Sequence, residues 1–366
     1  MLKFVDSPPT SPELLRTPGN LEQQLTPKDV DHIAEIFHTP LTGSYEWDYR
    51  EADKRISKLY RLGKERNWNA SYDIDWTRSR PKSEYPQQHR EGDNPFVGWE
   101  PFEALNEDQR LEFAWHMHSW TVCQFLHGEQ GALLVSSQLV SCAPTYDAKL
   151  YASSQTFDEA RHVEVFTRYV HQELPVMYPI NRHMKALLDK VLTDPRWDLK
   201  FIGMQLIIES LALAAFNVEK EMTASPLLAQ ILEYVIRDEA RHVAFGVTYM
   251  EDFVRNLSQE ERDDRGRFAY EACRIMRERI VPTDVFEYWG MDPEEGRRRF
   301  LAANQLDTFR NLLFTRIMPN LNKVGLLTDA VVPLYDNLGL MAFSHLPHDG
   351  DINWASLEAP LGDAAE

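Results

Sequence analysis

Six residues, arranged as two copies of one pattern, have the types and spacing to hold a pair of metal ions. The hexapeptide Asp-Glu-Ala-Arg-His-Val occurs at Asp158–Val163 and again at Asp238–Val243. Each copy contains Glu-x-x-His: Glu159 with His162, and Glu239 with His242. Positions three apart on a helix share a face, so each pair can grip one ion. A further acid precedes each pair by 30 residues, Glu129 before Glu159 and Glu209 before Glu239. The offset between copies is 80 throughout: 129 to 209, 159 to 239, 162 to 242.

The donor set selects the metal. Carboxylate oxygens and two imidazoles without a thiolate suit iron or manganese better than a structural zinc ion. Four carboxylates also neutralise two divalent cations, and without cations they would repel one another and resist burial. Repeated but solvated helix faces are the bland alternative. Against it, Glu129 sits in Cys-Gln-Phe-Leu-His-Gly-Glu-Gln-Gly-Ala-Leu-Leu-Val and Glu209 in Gln-Leu-Ile-Ile-Glu-Ser-Leu-Ala-Leu-Ala-Ala-Phe, both contexts built for burial. A ligating histidine usually donates its other N–H to a carboxylate. Asp158 and Asp238 are therefore expected to reach the histidine of the opposite helix, with Arg161 and Arg241 pairing to them; ordinary interhelical ion pairs are the competing reading.

Such ligands need long helices at one level, and the chain supplies the pattern. From about 107 to 319, apolar residues recur at i, i+3, i+4 and i+7 between single turns. This predicts helices over 107–142, 146–173, 197–222 and 226–257, with a short one over 181–192 in a proline-rich connection. Ser225-Pro226 is an N-cap followed by proline in the first helical position, and Ser258-Gln-Glu-Glu261 is a capping box opening a helix to about 280. A helix over 293–318 and a shorter segment to about 343 follow. Upstream, 45–66 suits an amphipathic helix, 77–100 reads as irregular, and the first 25 or so residues form a Pro/Ser/Thr-rich loose arm. Glu129 is 14 residues before Ala143 and Glu159 is 15 after Pro144, so in an antiparallel hairpin rising about 1.5 Å per residue they sit at about the same level. Glu209, 15 before Ala224, and Glu239, 13 after Pro226, do nearly the same. The expected fold is all-α, a four-helix bundle with a long crossover, divided as arm and flanking helices (1–106), bundle (107–257) and C-terminal helical extension (258–366).

The chain has 366 residues and a formal charge of −18, which argues against a nucleic-acid partner and an anionic membrane surface. Cys123, Cys142 and Cys273 lack zinc-ligand spacing and read as thiols of a reducing cytoplasm. No signal-peptide pattern and no uncharged apolar run long enough to span a bilayer is present.

Glu, Asp-Glu-x-Arg-His, Glu, Asp-Glu-x-Arg-His over residues 107–257 resembles the ferritin-like di-iron carboxylate oxidoreductases. These include the multicomponent monooxygenase hydroxylases, acyl-carrier-protein desaturases, ribonucleotide reductase small subunits and p-aminobenzoate N-oxygenases. The resemblance implies a ferritin-like bundle in which Glu129 and Glu209 are terminal ligands, Glu159 and Glu239 bridge two Fe ions, and His162 and His242 cap one each. It implies O2 activation and oxygenation, hydroxylation or desaturation of a small or acyl organic substrate. The sequence has no dinucleotide fingerprint or iron–sulfur cysteine pattern, so a separate reductase or ferredoxin is expected, as is a homodimer. The alternatives are a ferritin- or rubrerythrin-type metal-handling protein and a ligand-binding oxidase with a mixed Mn/Fe site.

Departures narrow the field. Phe166 stands where reductase subunits carry a radical tyrosine, and Glu129 where they commonly have aspartate. Val235 stands where N-oxygenases add a third histidine, Leu213 where monooxygenase hydroxylases have threonine, and Ala212 where desaturases have threonine. His127 is expected to point away from the ligand face, and His116 and His118 to be structural. Phe125, Phe166, Phe216 and Phe245 read as core residues that could also wall an apolar pocket.

Overall fold

The computed structural model describes residues 34–79, 94–302 and 304–360. The expected arm over 1–25 lies outside them, as do residues 80–93 of the stretch over 77–100 expected to be irregular. The described elements are helical, with no strand among them.

Two long hairpins make the bundle. Helix α3 (Glu107–Cys142) and helix α4 (Tyr146–Glu173) form the first. The second is α6 (Trp197–Met222) with α7 (Pro226–Val254). Caps fix their starts. Asn106 and Gln109 close a capping box on α3, and the Ser225 hydroxyl accepts from Leu228 N at 3.1 Å with Pro226 in the first turn of α7. The crossover carries α5 (Arg182–Thr193), whose Met184, Leu187, Leu188 and Val191 are buried. Before the bundle come α1 (Lys54–Glu65), which packs on α4 and α7, and the short α2 (Glu100–Glu103). After it come α8 (Gln259–Glu278), opened by the Ser258–Glu261 capping box, then α9 (Thr283–Tyr288), α10 (Pro293–Ala302) and α11 (Asn304–Val324). Two short helices, α12 (Val332–Asn337) and α13 (Trp354–Glu358), end the described chain.

Three local expectations need correction. The N-terminal helix starts at Lys54, not Tyr45, because Asp147 at the head of α4 accepts from Ala52 N (2.6 Å) and Asp53 N (2.8 Å) and holds the preceding chain off the helix. Pro319 does not end the last long helix. It is accommodated inside α11, which stops at Gly325 (φ 87°), where Leu326 N donates back to Leu321 O at 3.0 Å. Finally, α6 is not uniformly α-helical: Ile202–Ile208 is a π-helical segment directly before Glu209.

By length and composition α6 is apolar enough to cross a membrane, but 83% of its most apolar window is buried inside the protein. It is the central helix of the bundle, which explains its composition without a bilayer.

Candidate metal centre

Both Glu-x-x-His pairs point to the bundle axis, from α4 and α7, and the neighbouring α3 and α6 add Glu129 and Glu209. None of the six side chains belongs to a residue more than 4% exposed. Nδ1 of His162 lies 3.0 Å from Glu129 Oε2, 3.4 Å from Glu159 Oε2 and 3.1 Å from Glu239 Oε1. Nδ1 of His242 lies 3.1 Å from Glu159 Oε1, 3.5 Å from Glu239 Oε2 and 3.9 Å from Glu209 Oε2. The donor atoms form two groups, Glu129–Glu159–His162–Glu239 and Glu159–Glu209–Glu239–His242, each with all atoms within 4.8 Å of one another. Glu159 and Glu239 belong to both groups.

These groups fit metal ions on a further observation. Oε2 of Glu159, both carboxylate oxygens of Glu239 and Nδ1 of His242 are buried with no hydrogen-bond partner. A buried polar atom left unpaired costs about 1–3 kcal/mol, so four of them around one point call for a cation. Their short separations lack hydrogen-bond geometry and instead bring lone pairs to a shared centre.

The electrostatics agree. Burial, reinforced by the Glu239 carboxylate, pushes Glu129 and Glu209 well above the usual carboxylate range. Burial alone would depress the imidazoles, but the surrounding carboxylates push His162 and His242 well above the ordinary histidine value. Burial also opposes charge on Glu159 and Glu239, yet the neighbouring imidazoles hold both below the usual range. Without cations, the cluster is neutralised by protons, and an entering metal must displace them.

An outer ring orients the imidazoles. Asp238 Oδ2 is 3.1 Å from His162 Nε2, and Asp158 Oδ2 is 3.3 Å from His242 Nε2, so each aspartate serves the histidine of the other hairpin. Arg161 donates to Asp158 (2.5 Å) and Asp238 (2.9 Å), and Arg241 donates to the same two residues. All four side chains are buried, so two anions and two cations balance within one closed lattice.

Several contributors were not legible as site residues in the sequence. Trp68 Nε1 donates to Asp238 Oδ2 at 2.8 Å, and no composition rule singles out that indole. Gln155 Nε2 donates to Glu159 Oε1 (3.1 Å) and Glu209 Oε1 (2.9 Å), and Gln205 Nε2 donates to Gln155 Oε1 at 3.1 Å. A signal for these two existed: each glutamine precedes a cluster glutamate by four positions and so shares its helix face. Of the other histidines, His116 contacts the Tyr178 hydroxyl, His118 the Tyr169 hydroxyl and His127 the Tyr178 carbonyl, all outside the two groups. Phe125 and Phe216 meet edge to face at 4.9 Å and wall a narrow cleft of about 20 Å³ between α3 and α6. Glu129 and Glu209 line the same cleft. Phe166 packs on both phenylalanines, while Phe245 lies tilted against Tyr151 at 4.3 Å.

A family model described as p-aminobenzoate N-oxygenase AurF matches residues 49–325, which takes in the whole bundle and the flanking helices α1, α2 and α8 to α11. The chain belongs to the p-aminobenzoate N-oxygenase family. It is therefore an oxidoreductase whose reactants are O2 and an organic substrate, and its buried carboxylate–histidine cluster is able to bind a dimetal centre. Within this N-oxygenase family the chain keeps valine where a third histidine is expected: Val235 is fully buried one turn before Glu239 and offers no donor. Solved structures place the fold. A variant of an R2-like ligand-binding oxidase with an anaerobically reconstituted Mn/Fe cofactor aligns with TM-score 0.50 and 17% identity, covering 76% of this chain and 96% of that one. A second variant of that oxidase aligns with TM-score 0.49 and 17% identity over the same shares. The bundle is thus of the ferritin-like helical type. No curated protein matches the sequence.

Proposed function

We propose that this protein is a monooxygenase in which Glu129, Glu159, His162, Glu209, Glu239 and His242 hold two iron ions. Glu159 and Glu239 are the shared ligands, and Asp158, Asp238, Arg161 and Arg241 fix the imidazoles from outside. The observation that carries the reading is the set of unpartnered buried donor atoms shared by two overlapping groups. Bound there, the ions supply O2 reduction: with two electrons from a donor, one oxygen atom enters the substrate and the other leaves as water. The protein's own work is to exclude water, fix both imidazoles through Asp158 and Asp238, and present the substrate through the cleft beside Glu129 and Glu209. A separate reductase or ferredoxin would deliver the electrons. The three buried thiols, Cys123, Cys142 and Cys273, accord with a cytoplasmic enzyme. A homodimer is the expected assembly.

A mixed Mn/Fe pair suits the same donors, and metal analysis after expression in defined medium separates the two. The test of the reading joins metal content with O2 uptake in the presence of a chemical reductant. Roughly two iron ions per chain, and none after Glu159→Ala plus Glu239→Ala, is the expected outcome. Full metal content in that double variant would sink the assignment, and a cage-sized assembly that stores iron would replace it with metal handling.

A further inference from the structure

The π-helical segment of α6 creates a register problem for the ligand that follows it. Over Ile202–Ile208 the hydrogen bonds close on the fifth residue instead of the fourth, and Glu209 N still donates to Met204 O, five positions back. Losing the extra residue would turn everything after it by about 100° around the helix axis, one residue's share of an α-helical turn. Glu209 would then leave the bundle axis. The run Ile-Gly-Met-Gln-Leu-Ile-Ile has one polar side chain, Gln205, and its apolar residues do not mark where the insertion must end.

The residue after Glu209 is held from outside. Ser210 is fully buried, and Asn320 Nδ2 of α11 donates to its hydroxyl at 3.1 Å. Asn320 is fully buried too and is gripped by the loop over 344–352: its Nδ2 donates to Asp349 Oδ2 (2.8 Å) and its Oδ1 accepts from Asp349 N (2.8 Å). Arg316 Nη1, one turn earlier on α11, donates to the other oxygen of Asp349 at 2.6 Å, and Asn322 Nδ2 donates to Ser344 O at 3.0 Å. The loop lies flat on α7, where a Cβ at Gly350 would stand 2.8 Å from Val247 Cγ1. A hydrogen-bonded chain, Arg316–Asp349–Asn320–Ser210, therefore runs from the surface to the neighbour of a cluster glutamate. Gluing the loop to α11 would need only Asp349 and Asn320, not the bond to Ser210. On α3 the residue in the same place, Gln130, is exposed instead.

We propose that Asn320 is a positioning residue for the second subsite. Through Ser210 it pins the rotation of α6 where the π-helical segment ends and so keeps Glu209 turned to the bundle axis, with the loop over 344–352 clamping Asn320 from outside. The C-terminal extension thus serves the group Glu159–Glu209–Glu239–His242 and not the group that contains Glu129. The proposal deepens the metal-centre reading and rests on it.

The test uses the full chain, with anaerobic equilibrium titration by Fe(II) and amide hydrogen exchange over 202–210 in the metal-free protein. The binding step lost in Glu209→Ala identifies the second subsite. Asn320→Ala and Ser210→Ala should each weaken that step by roughly 10-fold, the lower end of the range for groups that orient a ligand from outside, and leave the other step unchanged. The double variant should be no weaker than either single one, because both remove the same bond. Arg316→Gln, at the half-buried outer end of the chain, should give a smaller loss of the same kind in a fold left intact, and it keeps the test open if Asn320→Ala does not fold. Exchange over 202–210 should quicken in all three variants while α3 stays as in wild type. Equal weakening of both steps, as a merely structural role of the loop would give, overturns the positioning role; so do additive losses in the double variant. A wild type that takes up no iron, with exchange quickened in the variants, overturns the metal reading alone. Two ions bound, with the second step unmoved by Asn320→Ala or Ser210→Ala, overturns the positioning role alone.

Discussion

The two hairpins carry the same motif in different surroundings. In the first, α3 runs unbroken for 36 residues and sets Glu129 Oε2 3.0 Å from His162. In the second, α6 is rewound into a π-helical segment before Glu209, and the matching separation to His242 is 3.9 Å. Trp68 donates to Asp238, the partner of His162, whereas the Asp158 partner of His242 receives no indole. The glutamine pair, Gln155 and Gln205, serves Glu209 and has no counterpart at Glu129. A duplicated ligand set has become two unequal subsites: both share the charged lattice, the first is further steadied by the Trp68 indole, and the second by the Gln155 amide of α4 backed by Gln205 on the rewound helix. Ligand identity follows the repeat, and the inequality follows the neighbours.

That inequality can be broken or sharpened by experiment. The largest effect is expected from the terminal ligands. Glu129→Ala and Glu209→Ala should each remove one ion of the two, from different subsites, so the residual ions should have distinct spectra; identical residual spectra would make the subsites equivalent. Protons come next. Because Glu129, Glu209, His162 and His242 are all pushed up, protons compete with metal, so loading weakens as pH falls through their raised values and strengthens as it rises. Equilibrium metal titrations across pH check the sign, and affinity independent of pH would contradict it.

Removing a lattice cation follows in size. Arg241→Met leaves Asp158 and Asp238 short of a buried partner and should destabilise the fold by roughly 3–5 kcal/mol in denaturant melts. Smaller is Gly246→Ala. A Cβ at Gly246 of α7 would stand 2.4 Å from Gln205 Cβ, pressing on the π-helical segment. A loss of about 1–3 kcal/mol is expected, with the second subsite affected and the first not. The smallest is Trp68→Phe, which removes one hydrogen bond to Asp238 and should cost about 1–3 kcal/mol or less while disturbing the His162 side alone. Metal affinities resolved by subsite read both variants, and a Gly246→Ala effect at the first subsite would show that the hairpins do not act separately.

Much of the bundle was legible because its signals are local. The four long helices match the periodicity, and the Ser225-Pro226 and Ser258–Glu261 caps open α7 and α8 where expected. The start of α1 was not, because Asp147, nearly a hundred residues away, decides where the chain leaves its extended path. The π-helical segment was not, because a run such as Ile-Gly-Met-Gln-Leu-Ile-Ile satisfies α and π periodicity equally.

By itself the sequence determined which side chains gather at the bundle axis, since helical rise and hairpin symmetry put equal spacings at equal heights. Only the tertiary structure decided what surrounds them. The indole of Trp68 on Asp238 and the Gln155 bond across to Glu209 come from elements whose approach is set by packing, a non-local property that spacing along one chain does not encode.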